Sequence, residues 1–179
     1  MMKIINTKLN GLKIIQQKKH KDNRGNLRET YLKKIIKWNN LIFDYATTSK
    51  KNVLRGFHFQ SKYKQAKFVS VLKGRILDCV IDLRKRSRTF GKIFCIELSE
   101  RNCKSLYIPE GFGHAYYSFA NTNVIYYKLS NYYQPKYEDG ILWNDKNLKF
   151  KWPTKMPIVS EKDKKLGTFK DFKTVYKGL

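Results

Sequence analysis

Short apolar or alternating runs, separated by Gly, Pro, Asn and Asp, make up most of the chain. Val53–Phe59 sets Phe57 and Phe59 against His58. Lys67–Leu72 is a second run and closes on Lys73-Gly74. Arg75–Leu83 is apolar almost throughout, which predicts a buried strand. Leu12–Gln16, Thr89–Leu98, Ser105–Ile108, Ala115–Phe119 and Val124–Leu129 continue the series. Turn residues fall between runs, as in Asp22-Asn23-Arg24-Gly25-Asn26. A spacing of roughly 8–15 residues with turn signals predicts an all-β sandwich or barrel. Two segments break the pattern. Arg28–Lys37 predicts a strand running into a short helix, with Leu32, Ile35 and Ile36 on its apolar side. Beyond Trp152-Pro153 the pattern loosens, and Ser160-Glu161-Lys162-Asp163 predicts an N-cap opening a short helix. There is no internal repeat, low-complexity stretch or linker, so residues 1–179 are expected to form a single domain.

Composition adds one question to this picture. The chain carries 38 Lys+Arg against 14 Asp+Glu, a net charge of +24. An apolar fraction of 41% with 15% aromatics excludes a disordered polycation. The excess is spread along the whole chain with no detachable basic tail. Lys outnumbers Arg 30 to 8, and base reading favours the Arg fork, so nucleic acid is not the expected partner. No run approaches the roughly 18 apolar residues of a membrane span. The start, Met1-Met2-Lys3-Ile4-Ile5-Asn6, lacks the apolar run and cleavage site of a signal peptide. Cys79, Cys95 and Cys103 are odd in number and lack C-x-x-C spacing. They read as unbridged residues, Cys79 and Cys95 as small buried hydrophobes, in a reducing cytoplasm.

Candidate chemistry centres on two histidines. In Leu54-Arg55-Gly56-Phe57-His58-Phe59-Gln60, strict alternation puts Leu54, Gly56, His58 and Gln60 on one face. Arg55, Phe57 and Phe59 would take the other. His58 then reads either as a cavity-lining group or as a hydrogen-bonded core residue. His114, in Pro109-Glu110-Gly111-Phe112-Gly113-His114, stands where a turn enters a strand. Metal-binding β-barrels pair two His one residue apart, but Gln60 holds that position here, so no metal is expected. Phosphate-binding glycine loops and a G-x-S-x-G elbow are absent from the sequence. What is left is acid–base chemistry, with His as base and one of Tyr126, Tyr127, Tyr132 or Tyr133 as acid.

These motifs, taken in order, resemble the dTDP-4-dehydrorhamnose 3,5-epimerase family along nearly the whole chain. The pieces are Asp22-Asn23-Arg24-Gly25…Glu29, Val53–Gln60, Gln65-Ala66-Lys67, Asp82-Leu83-Arg84…Ser87-Arg88-Thr89-Phe90-Gly91, Ile108–His114, Tyr127-Lys128, Gly140–Asp145, Trp152-Pro153 and Ser160–Asp163. The resemblance implies a cupin-type β-jelly roll (a double-stranded β-helix) with short peripheral helices, built as a homodimer and working without cofactor or metal. It implies a nucleotide-diphospho-4-keto-6-deoxyhexose substrate, inverted at carbons 3 and 5 through an enolate. His58 would be the base, Asp163 its partner, Tyr127 the opposite-face acid and Lys67 the enolate's cation. Arg55 and Arg24 would contact the diphosphate and nucleotide, with Arg24 and Glu29 coming from the partner subunit. His114 would be a second pocket histidine, and Tyr132 or Tyr133 a stacking aromatic. One stretch departs from the family: Phe43-Asp44-Tyr45-Ala46-Thr47 stands where members commonly carry Gln-x-Asn-His-Ser. A single-site 3-epimerase, a ketoisomerase of another deoxysugar and a non-catalytic cupin-fold binding protein are the alternatives.

Overall fold

The computed structural model describes residues 2–179, and Met1 lies outside the described residues. Two antiparallel sheets face each other. The first runs in the order β1 (Lys3–Asn6), β2 (Lys13–Gln16), β10 (Lys104–Ile108), β7 (Lys67–Lys73), β12 (Asn123–Leu129), β5 (Phe43–Ser49). The second runs β13 (Glu138–Gly140), β6 (Leu54–Gln60), β11 (Phe112–Ser118), β8 (Arg75–Asp82), β9 (Ile93–Ser99). A separate hairpin pairs β3 (Lys19–Asp22) with β4 (Gly25–Arg28) across the expected turn. This is the all-β jelly-roll architecture with short peripheral helices. The region 29–42 forms turns rather than a strand and helix. Its apolar residues are still used: Ile36, with Tyr31, Leu32 and Ile35 around it, covers Phe68 and Tyr107 on the outer face of the first sheet. Among the described residues no helix is long and apolar enough to cross a membrane.

The two-residue period of the strands decides what faces inward. Val69, Val71, Ile125 and Leu129 of the first sheet meet Ile76, Val80, Leu98 and Phe112 of the second. Lys67 shares its face with Val69 and Val71, and Tyr127 lies between Ile125 and Leu129. Asp78 lies between Ile76 and Val80, and His114 between Phe112 and Tyr116. Polar groups at these core-facing positions are placed by the same alternation that buries their neighbours.

Strict alternation fails in β6. His58 pairs with His114 and Arg55 with Tyr116, so Gly56 and Phe57 together oppose Ala115 alone. The extra residue is a β-bulge. It returns Arg55 to the face of His58, whereas alternation put the two on opposite faces. Phe57 and Phe59 still point outward, into a second apolar cluster with Ile141 and Phe172. Gly56 has φ of +113°, and a Cβ there would lie 2.5 Å from the Ala115 Cα. Only glycine fits such a position.

The C-terminal third covers this outer face. Ile141 and Phe57 exchange backbone hydrogen bonds of 2.9 and 3.2 Å. The Ile158 carbonyl accepts from the Leu54 N–H at 2.9 Å, so the chain is laced to the start of β6 just before α1 (Glu161–Lys164). Ser160 caps α1 as expected, its hydroxyl accepting from the Asp163 N–H at 3.1 Å. A further helix, α2 (Phe169–Val175), opens on a capping box of Thr168 and Asp171 and lays Phe172 on Phe59.

The cysteines differ from the expectation. Cys79 and Cys95 are directly opposite in the β8–β9 register, with Cα atoms 4.2 Å apart, and they are joined as a disulfide. Facing residues of an antiparallel pair come this close by strand geometry alone, which a search for close sequence spacing misses. Cys103 is free and buried.

Gly56→Ala is expected to destabilise the fold by at least about 2 kcal/mol, from overpacking together with a side chain at positive φ. Urea unfolding with an unchanged m-value measures this. A loss below about 0.5 kcal/mol, within the range of ordinary surface substitutions, would show that the bulge is not constrained as described.

Candidate active site

At one end of the sandwich the sheets part around a cavity of about 370 Å³. Lys67, Tyr127, Phe43, Tyr45 and Thr47 line it from the first sheet, and Arg55, His58, Gln60, His114 and Glu138 from the second. A larger crevice beside Arg84–Thr89 is open and cationic. Its Arg84 is spent on buried Asp82, at 2.7 and 2.9 Å, and none of its lining residues is a histidine or a tyrosine.

Two His–Asp pairs stand in the cavity. His58 Nε2 lies 2.9 Å from Asp163 Oδ1, and the His58 side chain is 25% exposed. The other carboxylate oxygen of Asp163 accepts from the Gly56 N–H at 3.1 Å. Burial acts to raise the Asp163 pKa, but hydrogen bonds from His58, Gly56 and Ser160 and the nearby imidazole outweigh it and hold it below the usual carboxylate range. The second pair is His114 Nε2 and Asp78 Oδ2 at 2.9 Å, both buried. The Asp78 Oδ1 is buried without a partner.

Tyr127 and Lys67 are shaped by desolvation. Burial, the largest cause, pushes the Tyr127 phenol well above its ordinary value, and neighbouring Tyr116, Tyr45 and Asp78 add to it. The phenol therefore stays protonated across the physiological range. Burial pulls the Lys67 ammonium down to about 8, against opposing attraction from Glu138 and Asp78. Glu138 accepts from Tyr133 at 2.7 Å and from Lys162. Those contacts outweigh burial and keep its pKa low. Arg55 reaches the cavity with its Nε donating to Ser49 Oγ at 3.3 Å.

His58, Asp163, Tyr127, Lys67, Arg55, His114 and Tyr133 thus come together as the sequence suggested. Arg24 does not join them within one chain: it sits on the β3–β4 hairpin, its side chain 86% exposed and paired with Asp22 at 2.7 Å. Glu29 follows that hairpin, and neither residue lines the cavity. Tyr132 is 57% exposed and rests against Phe43 beside the mouth, outside the lining. Asp78 and Glu138 were missed. The signal for Asp78 is a lone carboxylate in the apolar run Ile76–Ile81; Glu138 carries none, since its strand has three residues. Among the described residues no three His, Cys, Asp or Glu side chains gather as a metal-holding group.

Comparison with known proteins agrees with this architecture. A family model described as dTDP-4-dehydrorhamnose 3,5-epimerase matches residues 6–171. The dTDP-4-dehydrorhamnose 3,5-epimerase of Methanothermobacter thermautotrophicus is 37% identical over 169 residues, covering 90% of this chain and 91% of the relative. That of Salmonella typhimurium is 38% identical over 170 residues, covering 91% and 93%. The crystal structure of dTDP-6-deoxy-D-glucose-3,5-epimerase from Legionella pneumophila, in complex with dTDP-4-keto-L-rhamnose, superposes with a TM-score of 0.90 at 36% identity, covering 94% and 93%.

Proposed function

The chain belongs to the dTDP-4-dehydrorhamnose 3,5-epimerase family of isomerases, and from that premise we propose that it inverts carbons 3 and 5 of dTDP-4-keto-6-deoxyglucose through an enolate, as one domain and without a cofactor. The observation that carries this reading is the His58–Asp163 pair on the second sheet facing a protonated Tyr127 on the first, with Lys67 in the same cavity.

The carbon 4 ketone acidifies the hydrogens on its two neighbours. With Nε2 held by Asp163, His58 offers Nδ1 as the base. The C–H electron pair moves into the ring and charge develops on the carbonyl oxygen. Lys67 supplies a fixed cation for that charge in a site with little water. Asp163 stabilises the new imidazolium, as a buried Asp does in a serine-protease triad. Tyr127, on the opposite sheet, gives its proton to the other face of the carbon, and inversion results. The imidazolium and phenolate are reset by proton exchange with solvent. Arg55 meets the diphosphate at the cavity wall, where an Arg fork suits phosphate oxygens.

The nucleotide end needs more cations than one chain brings to the cavity. Arg24 lies on a hairpin outside both sheets and Glu29 directly follows it, with Leu27 exposed between them. The protein works as a homodimer in which the partner subunit's Arg24 reaches the nucleotide. Sedimentation equilibrium is expected to give a dimer, and a monomer at assay concentration would remove this part of the reading.

A second reading, single-site 3-epimerisation, is favoured by one observation: Phe43, Tyr45 and Thr47, from the stretch that departs from the family pattern, line the cavity. Incubation with dTDP-4-keto-6-deoxyglucose in heavy water separates the two. Deuterium at both carbons is expected. Deuterium at carbon 3 alone selects the second reading, and none from folded protein sinks both. His58→Ala and Tyr127→Phe are expected to lose about 10²–10⁴-fold in turnover each.

Lys67 sets a basic limit. Its ammonium is present below about 8 and is lost as pH rises through that value. The kcat/KM profile, which reports the free enzyme, is expected to fall on its alkaline side near pH 8. Lys67→Arg keeps the charge and should move that limb upward. An unmoved limb would assign it to another group.

A further inference from the structure

Tyr45 stands directly opposite Tyr127 in the β5–β12 ladder. Their rings are stacked, with centroids 4.8 Å apart and planes at 22°. The Tyr127 ring also meets the His114 ring at 5.9 Å and 70°, and His114 is itself fixed by Asp78. Tyr127 is therefore held by two rings, one stacked and one edge-on. Among the described residues its hydroxyl has no hydrogen-bond partner to anchor it, and burial is the largest cause of its raised pKa. Ring packing is what decides where that hydroxyl points.

Tyr45 is also the more exposed member of the stack, at 37% against 3% for Tyr127, and both rings line the cavity. Phe43 leans on it at 5.8 Å.

We infer that Tyr45 is a positioning residue whose ring clamps Tyr127 on the face opposite His58 and keeps water from it. The inference rests on the assignment of Tyr127 as the acid. Its consequence lies in the fate of the enolate. With Tyr127 clamped, the Tyr127 O–H bond breaks toward carbon and the carbon is inverted. With Tyr127 free to swing, the imidazolium of His58 first exchanges its proton with solvent and then returns a deuteron to the original face. The carbon is then exchanged without inversion. Tyr45 thus governs the partition between inversion and retention rather than the first proton abstraction.

The test is dTDP-4-keto-6-deoxyglucose in heavy water, with NMR reading deuterium in recovered substrate and in inverted product. Tyr45→Ala is expected to raise exchange with retention relative to inversion on the order of ten- to a hundredfold, the scale on which misplacement of a reacting group costs. Tyr45→Phe keeps the ring and should return the ratio to that of the unmodified protein. Tyr45→Leu, which fills the space without a flat ring, repeats the test if Tyr45→Ala does not fold. An unchanged ratio in folded Tyr45→Ala or Tyr45→Leu overturns the inference. A Tyr45→Phe protein that behaves like Tyr45→Ala does so too, because the effect would then belong to the hydroxyl. Failure of the underlying assignment looks different: the unmodified protein would take up no deuterium, or Tyr127→Phe would invert normally.

Discussion

The carboxylate of Asp163 joins three parts of the chain that are far apart in sequence. One oxygen takes the His58 imidazole, the other takes the Gly56 amide, and its own amide is held by Ser160. Gly56 is the residue at which β6 bulges, and the bulge brings Arg55 and His58 to the same face. The Asp163 carboxylate thus orients the His58 imidazole and ties down the backbone irregularity that places it. It sits there because the Ile158 segment is laced to the start of β6 before α1 begins. Remove the bulge and Arg55 turns away from the cavity; remove the lacing and the carboxylate has no fixed position.

Much of this was legible in the residues. The strand series follows from alternation, and the N-cap at Ser160 from its side-chain chemistry. Alternation also places Lys67, Asp78, His114 and Tyr127 inward once the strands are known, because apolar neighbours at two-residue spacing fix the buried face. What alternation cannot show is a local failure of alternation. The bulge at Gly56 depends on the close approach of His114 and Ala115, which are nearly sixty residues distant. The Cys79–Cys95 contact hides for a similar reason, since a β8–β9 register, not a spacing motif, creates it. Residues 29–42 mislead in the other direction. Their apolar residues suggested an element, yet a covering loop buries Ile36 as fully as a helix would. The roles assigned to His58, Asp163, Tyr127 and Lys67 came from family resemblance, and geometry then supplied what resemblance does not state: which nitrogen Asp163 holds, and which groups face each other.

The net charge of +24 carries less information than its size suggests. Most of the lysines are exposed and spread over the molecule. At a solvated surface such charges screen within about a Debye length, roughly 8–10 Å at moderate salt. Their collective effect is to raise the local concentration of an anionic substrate. The cations that matter chemically are few, and they are distinguished by burial. Arg55 opens on the cavity wall, and Lys67 lies deep enough for desolvation to compete with its charge.

That competition links the two halves of the chemistry. The same shortage of water lowers the Lys67 ammonium to about 8 and lifts the Tyr127 phenol. Burial drives each group toward its neutral form. The proposed enolate would change the balance for both, because it is an anion that an ammonium stabilises and a proton acceptor that a phenol can satisfy. On that proposal the site is best matched once charge has developed on the substrate, which is the condition for differential stabilisation of the reacting state. Asp78 fits the same logic. It is buried, it fixes His114, and its field raises both the Lys67 and Tyr127 values. A carboxylate in that position opposes desolvation at Lys67 and adds to it at Tyr127, so it favours the charged ammonium and the protonated phenol alike.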